Sequence, residues 1–162
     1  MPVHGPLELD VIYAARRPWV PRRAQFAAWA SAALSGAAPG PAAHAVAART
    51  SLAILVVGAA RSRSLNFRYR NRNRPTNVLS FNGAGMSPDG RRLLGELVIC
   101  APVVAHEAKA QRKTAAAHWA HMTVHGVLHL MGFDHERRAE AKKMEAREIQ
   151  ILDRLGFSDP YV

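Results

Sequence analysis

Three histidines, His125, His129 and His135, have the residue type and spacing that suit a metal ion. They stand in the run HGVLHLMGFDH. His125 and His129 are four apart, so on a helix both imidazoles project from one face, about a turn apart. Gly132 can leave that helix in a conformation other residues avoid and turn the chain back. His135 then returns to the same ion from the side. Three neutral imidazoles leave a fourth position open, the arrangement of a catalytic zinc site. An ion held in this way lowers the pKa of water toward ~7 and supplies hydroxide near neutral pH. His118 and His121 fall on or near the same stripe. Three ligands already suffice, so these two are expected to have structural or supporting roles.

The spacing H-x3-H-x5-H with an intervening glycine is that of metzincin proteases, which place a general-base glutamate directly after the first histidine. Here that position is Gly126, which cannot take a proton. Peptide hydrolysis would need a base from elsewhere, with Glu96 and Glu107 the obvious acids. Phosphodiester hydrolysis remains open, because a metal and a cation can share the work of stabilising charge. A third possibility is a non-catalytic assembly factor in which the metal only staples the fold. That reading calls for a fourth protein ligand, such as His121 or Asp134.

Six arginines, Arg61, Arg63, Arg68, Arg70, Arg72 and Arg74, surround Phe67 and Tyr69 with no acid nearby. A guanidinium offers a planar fork of donors that matches phosphate oxygens. Interleaved with aromatics, such arginines suit single-stranded nucleic acid. Phe67 is expected in the core, with most of the arginines left free for phosphate. Thr76, Asn77 and Ser80 are candidates either to line the cleft or to serve strand and turn hydrogen bonds. Asp134 is a candidate to orient a ligand or assist proton transfer.

Elements must position these groups. Leu7 to Tyr13 alternates as a strand, and Pro21 opens a helix on which Phe26, Trp29, Ala30, Ala33 and Leu34 recur at helical spacing, broken at Gly36 to Pro41. Ser51 to Val57 reads as a central strand covered on both faces. Arg61 to Arg70 is a short helix; Thr76 to Phe81 and Leu94 to Cys100 are strands. Three helices follow: from Pro102 through Ala108, from Ala115 to Met131, and from Glu136 to Leu155 with Met144, Ile151, Leu152 and Leu155 on one face. Strands early and helices late predict an α+β fold, with one mixed sheet of about four strands packed with about five helices. The metal site falls on a late helix and the loop after it.

The chain has 162 residues, 49% of them hydrophobic, which fits one domain over 1–162 with a real core. No apolar run is long enough to span a bilayer, and the single cysteine, Cys100, agrees with a reducing cytoplasm. The net charge is +10, and no Asp or Glu occurs between Val11 and Pro88, a stretch that holds eleven arginines. Such segregation favours a polyanionic partner.

Several blocks resemble the YbeY family, bacterial metal-dependent endoribonucleases. They are SLNFRYR (Ser64 to Arg70), RPTNVLSF (Arg74 to Phe81), LLGELVIC (Leu93 to Cys100), HWAHMTVHGVLHLMGFDH (His118 to His135) and the closing GFSDPYV. The likeness runs from about Ser64 to the C-terminus. Phe133 stands where the family commonly has Tyr, and Glu96 where it commonly has Asp. The resemblance implies a single-domain α+β fold, one Zn2+ on His125, His129 and His135, and a functional arginine in the YR pair, Arg70. It further implies a single-strand-specific endoribonuclease active in ribosomal RNA processing. Maturation of the 16S rRNA 3′ end, ribosome quality control, and association with the ribosome or its assembly factors belong to the same implication. His125 and Arg70 are then the catalytic pair.

Overall fold

The computed structural model describes residues 7–37 and 49–162. Nine elements follow in order: β1 (Glu8–Tyr13), α1 (Arg23–Ala37), β2 (Thr50–Val57), α2 (Ala59–Arg70), β3 (Val78–Asn82), β4 (Arg92–Cys100), α3 (Ala101–Ala110), α4 (Ala115–Leu130) and α5 (Arg138–Arg154). The strands form one four-stranded sheet in the order β1-β2-β4-β3. β1, β2 and β4 run parallel, and β3 lies antiparallel on β4 as an edge strand. The α+β architecture with a mixed sheet of four strands and five helices is therefore as expected, counted over the described residues.

Side-chain alternation sorts the sheet into two faces. Leu52, Ile54, Val56, Leu97 and Ile99 join Phe26, Leu34, Trp119, Val127, Leu128, Met144 and Ile151 in the main core beneath α1, α4 and α5. Val57, Leu79, Val98 and Cys100 form a smaller core on the other face, against Leu65 of α2. β2 is central, but Ser51, Ala53 and Leu55 are only half-buried, because cover on that face is incomplete. The continuous apolar run thus marks a strand buried fully on one face only.

Three local differences have plain causes. α1 begins at Arg23, not Pro21, because the Arg22 carbonyl accepts from Gln25 and Phe26 while Gln25 Oε1 accepts from the Arg22 N–H, a reciprocal cap. Gly36 lies inside α1, where a Cβ would stand 2.4 Å from Ile151 Cγ1, so it permits close approach of α5. The rest of the expected break, to Pro41, lies outside the described residues. Phe67, expected in the core, is 55% exposed: Ser62 and Asn66 take the inward face of α2 and bond to the backbone of Thr76 and Arg74. Among the described residues no helix is long and apolar enough to cross a membrane.

Candidate metal centre and its cleft

α4 is capped by Thr114, whose side chain accepts from the Ala117 N–H, and it is buried almost all round between α1, α5 and the sheet. Its histidines emerge on one stripe. Gly126 lies on the buried face, where a Cβ would meet Leu97 Cδ2 at 2.7 Å. The position that carries the base in metzincins is therefore occupied here by the helix–sheet contact. Gly132, at φ +98°, turns the chain out of the helix. Phe133 N–H closes on the Leu128 carbonyl at 3.0 Å, and Asp134 Oδ1 accepts from the His135 and Glu136 N–H groups. That turn brings His135 Nδ1 to 2.8 Å from His129 Nε2.

His125, His129 and His135 each offer a ring nitrogen, and these atoms all lie within 4.8 Å of one another. Donor nitrogens of a tetrahedral zinc ion sit about 3.3 Å apart for bonds of ~2 Å, so the cluster matches in both size and donor type. Burial, then the neighbouring His125 and His135, lower the pKa of His129 to about 4, which keeps its lone pair available at neutral pH.

Glu148 of α5 completes the centre, and the sequence reading missed it. Its side chain is fully buried and accepts from His125 Nδ1 at 2.5 Å, from His121 Nε2 at 3.0 Å and from the Tyr161 hydroxyl. Burial alone would raise its pKa, but the hydrogen bonds from His121, His125 and Tyr161 prevail and hold it at about 2. Burial lowers the pKa of His121, so a neutral imidazole donates to an ionised carboxylate. Nδ1 of His125 is committed to Glu148, which leaves Nε2 as the ring nitrogen available to an ion, the carboxylate–histidine arrangement that orients metal ligands. The available signal was an acid at position 148, on the stripe of Met144, Ile151 and Leu152.

A cleft of about 470 Å³ lies between this centre and edge strand β3, lined by His125, His129, His135, Arg70, Thr76 and Ser80 among others. Asn71, at φ 57°, ends α2 and leaves Arg70 at its last turn. The Arg70 guanidinium donates to the Ser80 carbonyl at 3.1 Å and the Tyr69 carbonyl at 3.3 Å, and it stands 5.6 Å from the Phe81 ring centroid. Of the six arginines, only Arg70 lines the cleft; Arg61, Arg63, Arg68, Arg72 and Arg74 lie outside its lining. Asn77 also faces the cleft, but its side chain bonds Glu107 and the Val78 N–H. Glu107 instead holds His118 at 3.0 Å, and Glu96 opens on a pocket with Glu8 and Asp10, so neither acid lines the cleft. Asp134 lines it, with Oδ1 bound to its own turn.

Comparison with known proteins agrees with this geometry. The family model described as "Endoribonuclease YbeY" matches residues 21–156. Proteins named endoribonuclease YbeY from two Stenotrophomonas maltophilia strains, R551-3 and K279a, are each 48% identical over 164 residues, covering 97% of this chain and 96% of theirs. A solution structure of a Thermotoga maritima protein superimposes with a TM-score of 0.56 at 18% identity, over 91% of each chain, and supports the fold alone.

Proposed function

The chain belongs to the YbeY endoribonuclease family, and from that premise we propose that it is a metal-dependent endoribonuclease specific for single strands. In this reading it acts in the cytoplasm on ribosomal RNA, in 16S rRNA 3′-end maturation and ribosome quality control, alongside the ribosome or its assembly factors. The carrying observation is that three convergent imidazoles and one guanidinium line a single cleft.

His125, His129 and His135 would hold the ion, with zinc favoured by an all-nitrogen donor set. When bound, it would activate water and neutralise charge on a phosphate. The chain's own residues do the rest. Glu148 fixes the tautomer and direction of His125. The two backbone carbonyls bonded to Arg70 hold its guanidinium at the cleft, positioned to meet a phosphate oxygen as negative charge develops. Asp134 shapes the turn that returns His135. The remaining arginines outside the cleft would engage the backbone of a longer strand.

The test is cleavage of labelled single-stranded ribosomal RNA, with metal analysis, by wild type, Arg70→Ala and His129→Ala. Loss of cleavage and of metal in His129→Ala, with cleavage reduced but metal retained in Arg70→Ala, is expected. Equal trace cleavage by all three proteins would point to a contaminant and remove the nuclease reading.

A further inference from the structure

Building on the single-stranded RNA reading, we propose that Phe67 is a base-stacking platform that carries the strand out of the cleft along α2. Ser62 and Asn66 define the inward face of that helix, and Phe67 is 55% exposed. Arg63, Phe67 and Arg70 follow at i, i+4 and i+7, which at 100° per residue places them within roughly 60° on one flank. Arg70, at the end of the row, lines the cleft, so the row opens directly into it.

The chemistry of the row fits a nucleobase between phosphates. Arg63 Nε is anchored on Asn73 Oδ1 at 2.7 Å and Arg70 on the Ser80 carbonyl, both neutral acceptors that leave the cations uncompensated. Among the described residues no carboxylate pairs with Arg63, Arg68 or Arg70. The neighbouring exposed aromatic, Tyr69, is occupied: it packs edge-on against Phe81 at 5.1 Å with Arg68 over its ring. Phe67 has no such ring partner among the described residues. A protein-docking patch would gather apolar neighbours, whereas the residues three and four positions away from Phe67 are Arg63, Ser64, Arg70 and Asn71. Stacking on a base suits that isolation, because every base has a π-face and its phosphates suit the flanking cations.

The experiment is fluorescence anisotropy with a labelled single strand of roughly 12 nucleotides and a duplex of equal length, in chelator so that cleavage does not intervene. Phe67→Ala should weaken single-strand binding about 5–10-fold, the lower part of the range for one stacked base. Duplex binding and the salt dependence should stay at wild-type values, and Phe67→Trp should bind at least as tightly as wild type. Arg70→Ala should instead flatten the salt dependence by about one unit of slope. Single-strand binding within twofold of wild type in Phe67→Ala, or an equal loss for strand and duplex, overturns the stacking role. Absence of RNA binding by wild type itself would sink the nuclease reading along with it.

Discussion

Replacing Glu148 by glutamine tests how the metal centre is held. The carboxylate accepts from His125 Nδ1 at 2.5 Å, from His121 Nε2 at 3.0 Å and from the Tyr161 hydroxyl, all at a side chain with no solvent exposure. Glutamine keeps the shape but offers one acceptor oxygen and one donor nitrogen. If its oxygen faces His125, the ring retains its tautomer but loses an ionic acceptor. Hydrogen bonds to charged groups contribute about 1.5–3 kcal/mol and neutral ones about 0.5–1.5, so His125 is held about 1–1.5 kcal/mol less firmly. If the amide nitrogen faces His125 instead, the ring must carry its proton on Nε2, the atom intended for the ion. Between these two states, zinc affinity should fall about 10–100-fold, or about 1.4–2.7 kcal/mol, as is usual when the partner of a metal-bound histidine is altered.

The assay is competition for zinc against a chromophoric chelator, with thermal melting of the metal-free protein as a second readout. Tyr161→Phe is the milder companion, since it removes one donor and leaves the carboxylate on His125. Its zinc affinity should lie between wild type and Glu148→Gln. The reasoning is refuted if Glu148→Gln binds zinc within twofold of wild type while the metal-free melting temperature drops. Glu148 would then join α4 to α5 without directing His125.

Three further outcomes follow from the same geometry. Gly126→Glu should give no peptidase activity and a sharply lower melting temperature, because its side chain would enter the contact with Leu97; a wild-type melting temperature would contradict this. Arg70→Lys should lower RNA cleavage about 100-fold with zinc content unchanged, since one ammonium cannot reproduce a fork held by two carbonyls; full activity in steady-state assays would refute it. The hydrogen bond from His118, with help from Asn77, depresses the Glu107 pKa. Its stabilisation is therefore complete above the ordinary value of ~4.3 and is lost as pH falls through the folded value. Glu107→Gln should flatten the acid limb of melting temperature against pH in the metal-free protein, and an unchanged limb would count against the assignment.

Much of the centre could be read along the chain because its parts are local. Helical spacing alone puts His125 and His129 on one face, and Gly132, at φ +98°, supplies the turn that returns His135. The strands were legible from apolar runs, but incomplete cover on one face of β2 was not. An unbroken run of Leu, Ile and Val looks the same whether one face or both are sealed. Phe67 misled for a related reason. Hydrophobicity assigned it inward, whereas Ser62 and Asn66 hold the inward face by bonding the backbone of the segment after α2, a contact no periodicity records. Nor could arginine spacing reveal that Arg70 alone of the six would line the cleft; the place where Asn71 ends α2 decides that.

Glu148 shows the limit most clearly. It lies 23 residues from His125 and 27 from His121, so no local pattern connects them. What the sequence does contain is an inconsistency: an acid on the apolar stripe of an amphipathic helix. A buried carboxylate is costly unless donors meet it, and no lysine or arginine pairs with it among the described residues. It is satisfied instead by two imidazoles and a phenol. A neutral imidazole that donates from one nitrogen presents a lone pair on the other. For His125, satisfying the buried acid and preparing the proposed metal ligand are then one requirement: the feature that breaks the apolar pattern of α5 would also direct the chemistry proposed for α4.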